Sequence, residues 1–394
     1  MTKDRIVLLD ALRGLGVLGI LLCNAPDFAV IPALSESVLR WPHGTGPETL
    51  SVWAVTQWLF QRKFVTLFSM LFGVSLFLVG GERGDHERSG VLTRRLAWMA
   101  VFGLLHGFLL WYGDILLSYA LAGLFMMRAR SWSAGRLLKT GIVIWSILSV
   151  LFIAGPVLST FEPAPSTAAR TAKAAAAHAQ TAAAFGGDAW SSLIANAKER
   201  VQRLAAEPVI VLMTSALMMI GLGCFKAGVL TGEASARTYR RLLAWGLASL
   251  VLLAGLIAWI FASHLSKLAV STFMGVQSAT APLATLAYVS LMVLAIRSSG
   301  VWQAIPKLLA PVGRMAFSNY IAQSLIMVSI FYGGRGLSLF GKVDRPGLAA
   351  IVAGIWIAQI LWSHAWMSRF PMGPLEWVWR RLYRGPQAAS AEAR

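Results

Sequence analysis

The chain has 394 residues, is 57% hydrophobic and only 13% charged, and carries a net charge of +18. A soluble globular protein would hold about twice that share of charge. Apolar runs long enough to cross a bilayer recur along the whole length, so the composition excludes a soluble fold and implies an all-α polytopic membrane protein. The basic excess sits between the apolar runs, where the positive-inside rule accounts for it. No basic and aromatic module stands clear of the membrane, so nucleic acid is not an expected partner.

The first predicted span covers about 6–26 and ends at Pro26 and Asp27. Lys3 and Arg5 before an apolar run resemble a signal peptide, but Asp10 and Arg13 inside the run and the lack of an A-x-A site favour a retained span. Asp10 and Arg13 are i, i+3 on one helix face and can pair. Asn24 returns to nearly the same face three turns later. Such charges are expensive in lipid, so this stripe must face protein or water.

Residues 50–61 are apolar and Trp-rich but too short to span, and read as an interfacial lead-in to span 2 at about 62–80. Span 2 opens with Arg62 and Lys63; Arg62, Thr66, Ser69 and Gly73 then repeat at helical spacing as a polar stripe. Further spans are expected at about 91–111, 115–128, 137–158, 208–229, 240–262, 273–296, 308–332 and 347–368, ten in all. The hydrophilic stretch 161–207 is Ala-rich and strongly helix-forming, which predicts a helical cap outside the membrane. The tail 371–394 mixes Trp with Arg as an amphipathic interface anchor does. The chain thus divides into a bundle half 1–160, the insert 161–207, a second half 208–370 and the tail. The distribution of Lys and Arg over the loops puts both termini on the cytoplasmic side of a bacterial inner membrane. Cys23 and Cys224 both fall in apolar helices, with neither metal-ligand spacing nor a disulfide framework.

This topology sorts the polar residues by depth. Asn24, Arg62, Lys63, His106, Trp111, Tyr112 and Asp114 fall toward the outer side, and Asp10, Arg13 and Arg314 toward the inner one. Asn319 and Gln323, one turn apart on span 9, lie near mid-depth, where they serve either a substrate or interhelical hydrogen bonding. Arg62 and Lys63 either contact a substrate or snorkel to headgroups. Asp114, directly after Gly113, has two readings, helix N-cap or site residue. His106, flanked by Gly103 and Gly107 deep in span 3, is a general-base candidate. Gly14, Gly16 and Gly19 read as close-packing positions, since no phosphate-loop pattern surrounds them.

The segments LDALRGLGVLGILLCN, FVTLFSMLFGVSLFL, GLLHGFLLWYGDILLSYALAG and VGRMAFSNYIAQSLI, with the closing GPLEWVWR, resemble the YeiB-like family of bacterial inner-membrane proteins, whose C-terminal half is a domain of unknown function. That family in turn resembles the transmembrane acyltransferases, which include the acyltransferase-3 proteins and the heparan-type glucosamine N-acetyltransferases. The resemblance implies transfer of an acyl group from cytoplasmic acyl-CoA to a glycan or similar acceptor on the far side. In the acyltransferase-3 pattern an Arg on the first span is followed, after ten residues, by a His. Arg13 fits the Arg, but Asn24 stands where the His belongs, and a neutral amide cannot accept the proton.

Two functions follow as expectations. In an acyltransferase, Arg13 and Arg314, with Asp10 beside them, would meet acyl-CoA as co-substrate. His106 would be the base, Asp114 its orienter and Asn24 an oxyanion donor, while Arg62, Lys63, Trp111, Tyr112, Asn319 and Gln323 would line the acceptor path. In a transporter the same residues would line a central polar path. No permanently bound cofactor and no metal are expected. The expected partners are the bilayer, a small-molecule or glycan acceptor and a second copy of the chain in a homodimer.

Overall fold

The computed structural model describes residues 3–35, 37–38, 41–44, 46–158 and 168–384. The first residues of the Ala-rich insert, with Pro163, and the last ten of the tail lie outside them. The described residues form helices α1 (Lys3–Ala29), α2 (Pro32–Ser35), α3 (Pro47–Val55), α4 (Lys63–Gly80), α5 (His86–Leu105), α6 (Leu116–Ala129), α7 (Ala134–Leu158), α8 (Ala168–Gly186) and α9 (Ala189–Leu204). There follow α10 (Glu207–Lys226), α11 (Ala236–Ala262), α12 (Lys267–Arg297), α13 (Ala304–Arg314), α14 (Ala316–Phe331), α15 (Arg345–Met367) and α16 (Pro374–Arg384). Seven helical stretches are long and apolar enough to cross a membrane, and two shorter apolar helices, α6 and α14, stand among them. Every predicted span has a helix at its place.

Burial separates centre from rim. α1, α4 and α10 are mostly buried, and their side chains make up much of the main core, from Leu8 to Tyr320. α7, α11 and α15 are mostly exposed, with Ile147, Val251 and Leu361 among the apolar side chains on their outer faces. In water such faces would be unstable; in a bilayer they are the lipid surface. Helices from both halves of the chain interleave, α1 against α13 and α14, and α4 and α7 against α10.

Glycine permits the closest crossings. A Cβ on Gly14 would stand 2.1 Å from the Leu309 carbonyl oxygen, and one on Gly313 1.8 Å from that of Asp10. Only hydrogen fits at either point, so α1 and α13 touch backbone to backbone. Gly73 and Gly221 serve the α4–α10 crossing in the same way.

Three irregularities interrupt the regular helices. The lead-in before α4 is α3 plus a π-helical turn, Thr56–Phe60, and Arg62 closes it with φ of 70°, a left-handed conformation uncommon for a residue with a Cβ. α5 also ends in a π-helical turn, His106–Leu110, a feature frequent at functional sites. Predicted span 9 is two helices, broken at Met315. The break frees amide N–H groups at the start of α14, and the Glu376 carboxylate on α16 takes those of Phe317 at 2.8 Å and Ser318 at 3.2 Å.

The insert caps one end of the bundle. The Asp188 side chain caps α9 on the Ser191 amide at 2.7 Å. Phe185 packs among Tyr112, Tyr332 and Phe340. Asn196 donates to the carbonyls of Gly107 and Phe108 at 3.0 and 2.9 Å, which the π-helical turn leaves free. The bundle thus has an insert end and a termini end; at the latter Asp10, early in α1, and Glu376 of α16 border a common space.

Candidate functional site

Two cavities enter the bundle from opposite ends. The termini-end cavity, about 380 Å³, is lined by Asp10 and Arg13 of α1, Arg95 of α5, Arg314 of α13, and Glu376 and Trp379 of α16. Its size is that of a small-molecule site. The Asp10–Arg13 pair expected from the i, i+3 spacing forms, at 2.9 Å. Arg314 donates to the Pro371 carbonyl at 2.8 Å, and Arg95 lies over the Trp379 ring at 4.6 Å. Three guanidinium groups against two carboxylates, Asp10 and Glu376, leave this mouth cationic. Deeper in, the walls turn apolar and aromatic: Ile20, Phe68, Phe72, Tyr119 and Tyr320.

The insert-end cavity, about 260 Å³, is polar by comparison. Asn24 and Asp27 of α1, Arg62, Thr66 and Ser69 of the predicted α4 stripe, and Arg203 of α9 line it. Arg203 pairs with Asp27 at 3.4 Å. Ile115 lines both cavities. Beside it Ser69, on the insert-end wall, lies 3.0 Å, hydroxyl to hydroxyl, from Tyr119, on the termini-end wall. One layer of side chains therefore divides the two spaces.

His106 and Asp114 are held against this layer. Asp114 directly precedes Ile115, and the His106 ring stands 5.1 Å from that of Tyr320. His106 Nδ1 is 2.9 Å from Asp114 Oδ1, and His106 Nε2 is 2.8 Å from Ser324 Oγ. The second carboxylate oxygen, Asp114 Oδ2, accepts from the Leu117 amide at 3.0 Å. The Asp114 carboxylate thus bonds both the first turn of α6 and His106. Both residues are buried and line neither cavity. Gly103 and Gly107 make room for the charges around the histidine. A Cβ at Gly103 would meet Asp114 Oδ2 at 2.9 Å, and one at Gly107 would meet Arg200 Nε at 2.9 Å. Arg200 pairs in turn with Glu207 at 3.3 Å, and Ser118 donates to the same carboxylate.

The other candidates are placed elsewhere. Lys63 is fully buried, and its ammonium donates to the Gln57 carbonyl at 2.9 Å, closing the π-helical turn. Trp111 stacks on Phe28 with centroids 4.3 Å apart, and the Tyr112 hydroxyl donates to the Asp27 carbonyl at 2.8 Å. Asn319 and Gln323 join α1, α14 and α15. Asn319 donates to Ser363 Oγ at 3.1 Å and accepts from Trp362 Nε1 at 2.7 Å. Gln323 donates to the Val17 carbonyl at 3.0 Å and to Gln359 Oε1 at 2.8 Å. None of these five lines either cavity. Asn24 lines the insert-end cavity and does not join the His106–Asp114 chain.

Sequence reasoning left out Arg95, Tyr320, Ser324, Asn196 and Glu376. Arg95 was readable only as one more base beside a membrane helix. Ser324 follows Gln323 directly, but nothing local to it points to a histidine 218 positions away.

The uncharacterized protein YeiB of Escherichia coli (strain K12) is 31% identical, with 96% of each chain covered. The chain belongs to the YeiB/DUF418 family. The family model for the protein of unknown function DUF418 matches residues 224–386, a stretch that carries Arg314, Ser324 and Glu376. The uncharacterized protein YxaH of Bacillus subtilis (strain 168) is 29% identical over 96% of this chain and 94% of its own. No solved structure matches. The protein is thus a membrane-embedded member of this family, and its arginine-ringed cavity and His106–Asp114 pair lie within a fold shared along nearly the whole chain.

Proposed function

We propose that the protein is a membrane acyltransferase that takes an acyl group, of acetyl size, from cytoplasmic acyl-CoA and passes it to an acceptor in the envelope. One observation carries this assignment: two cavities enter from opposite ends and share Ile115, the residue after Asp114, with His106 bonded to that carboxylate. On this assignment the termini end faces the cytoplasm, as the loop charges favour. Arg13, Arg95 and Arg314 suit the phosphates of the donor, because guanidinium matches phosphate geometry and stays charged. The apolar depth beyond them suits the acyl-bearing arm. His106 accepts the proton of the attacking group, and Asp114 fixes its orientation. The acceptor, a glycan, lipid or small molecule, enters the polar insert-end cavity beside Asn24 and Arg62. Acyl-CoA is a co-substrate here, not a resident cofactor.

The test is direct. The purified protein in detergent is incubated with labelled acetyl-CoA, and binding and consumption are followed. Binding that falls with rising salt, with turnover lost in His106→Ala, supports the assignment. Absence of both binding and consumption refutes it. The thinness of the dividing layer favours one alternative, a transporter whose gate is Ile115 with the Ser69–Tyr119 contact. Solute accumulation in proteoliposomes without an acyl donor decides for transport.

A further inference from the structure

Ser324 is bonded differently from several other buried serines of the bundle. Ser69, Ser215 and Ser290 each donate to the carbonyl one helical turn back, at 2.8, 2.7 and 2.8 Å. That is the usual way a helix satisfies a hydroxyl in an apolar setting. Ser324 has only a long bond, 3.4 Å, to the corresponding carbonyl, of Tyr320, and stands 2.8 Å from His106 Nε2. The other ring nitrogen is held by Asp114 at 2.9 Å. An ionised carboxylate can only accept, so it keeps the imidazole proton on Nδ1 and leaves the Nε2 lone pair facing the serine. Hydroxyl, imidazole and carboxylate are thus joined in the order that turns a serine into a nucleophile.

The donor cavity ends one side chain away. Tyr320, one turn before Ser324 on α14, lines that cavity and stands against the His106 ring. Its hydroxyl is buried beside the Ile115 backbone. Swinging the ring aside opens a path from the cavity toward Ser324.

We propose that Ser324 is the nucleophile that first receives the acyl group, so that transfer proceeds through an acyl-serine ester; this rests on the acyltransferase assignment above. In the first half, Ser324 Oγ attacks the thioester carbonyl carbon and its proton passes to His106 Nε2. The C–S bond breaks, and the departing thiolate takes the proton from His106. In the second half, the acceptor hydroxyl or amine gives its proton to His106 Nε2 and attacks the ester carbonyl. The ester C–O bond breaks and Ser324 Oγ regains the proton. Asp114 holds the imidazole throughout and takes no proton. No electron is gained or lost.

Full-length protein in detergent is incubated with acetyl-labelled acetyl-CoA and no acceptor, quenched in acid, digested and mapped by mass spectrometry. The expected result is label on the peptide containing Ser324, absent in Ser324→Ala and His106→Ala, with turnover reduced roughly 10³-fold or more in Ser324→Ala. Ser324→Cys keeps a nucleophile in place and yields a label that neutral hydroxylamine removes, as it removes thioesters. A Ser324→Ala variant that turns over at the wild-type rate overturns the proposal and leaves the acyltransferase assignment standing. So does turnover by the wild type without label on Ser324. A fluorophosphonate, which modifies activated serines without any acyl-CoA, separates the two ideas. Modification of Ser324 that depends on His106, in a protein that neither binds nor consumes acetyl-CoA, retains the nucleophile and refutes the acyl-CoA assignment. Failure of both reagents at Ser324 overturns the proposal.

Discussion

Gly103→Ala probes the histidine pair without substituting either partner. The new Cβ would stand 2.4 Å from the Leu117 amide nitrogen and 2.9 Å from Asp114 Oδ2, where ordinary contact begins at 3.4 Å. The first turn of α6 must then withdraw by about 1 Å and the carboxylate by about 0.5 Å, since a packed core has no slack to absorb the methyl. The His106–Asp114 contact, 2.9 Å in the native protein, opens beyond the ~3.2 Å limit of a good N–H···O bond. Overpacking costs about 1–3 kcal/mol. The gain from removing a helical glycine, about 0.5–1 kcal/mol, offsets part of it. Gly255→Ala is the matched control, because nothing lies within 4 Å of its Cβ and only the gain remains. Thermal unfolding in detergent should therefore move down for Gly103→Ala and slightly up for Gly255→Ala. Acetyl-CoA turnover should fall by about 10²–10⁴-fold in the first, the usual worth of a positioned general base, and hold in the second. If Gly103→Ala matched Gly255→Ala in both measurements, the geometry of Asp114 would not matter to His106.

Arg314→Gln removes one guanidinium from the donor mouth and should weaken acetyl-CoA binding by roughly 10–100-fold, the worth of one charged hydrogen bond. Titration at two salt concentrations should show a shallower salt dependence than in the wild type. Glu207→Ala leaves the buried Arg200 without its carboxylate and should cost about 3–5 kcal/mol in chemical unfolding, against near neutrality for an exposed charge. Burial raises the Glu376 carboxyl above its ordinary range. The docked α16 thus prefers the proton, so Glu376 contributes stability that is full below the free carboxylate value and lost as pH rises through the raised one. The thermal stability of wild type relative to Glu376→Gln should accordingly decline with pH across that window; a difference independent of pH would contradict it. Gln180→Cys on α8 and Glu87→Cys in the first turn of α5, each in a Cys23→Ser background, should react with a membrane-impermeant maleimide from opposite sides of the membrane. Reaction from the same side would refute the topology.

Several features were readable in the sequence because their causes are local. Each apolar run must satisfy its own backbone in lipid, so it forms a helix wherever it stands in the chain. Asp10 and Arg13 pair because three residues on a helix fix their distance. Thr66 and Ser69 share the insert-end cavity because helical spacing puts them on one face, and Arg62 joins them from the left-handed turn before α4. His106 and Asp114 meet across a single turn between two helices. The depth ordering was coarser than the molecule. It grouped Lys63, Trp111 and Tyr112 with the polar outer residues, but these close a helix turn and pack beneath the insert.

Composition and periodicity by themselves determined an all-α membrane protein with helices at the expected places, and the pairs built within one or two turns. Tertiary structure alone decided three things. It broke the ninth predicted span, because the carboxylate that caps the second piece comes from Glu376, 59 positions past Phe317. It gathered Arg13, Arg95 and Arg314 at one mouth from three helices. It brought Ser324 to His106 across 218 positions. Such contacts depend on which helix faces cross, and that is set by close-packing points such as Gly14 against Leu309 and not by any pattern within one helix.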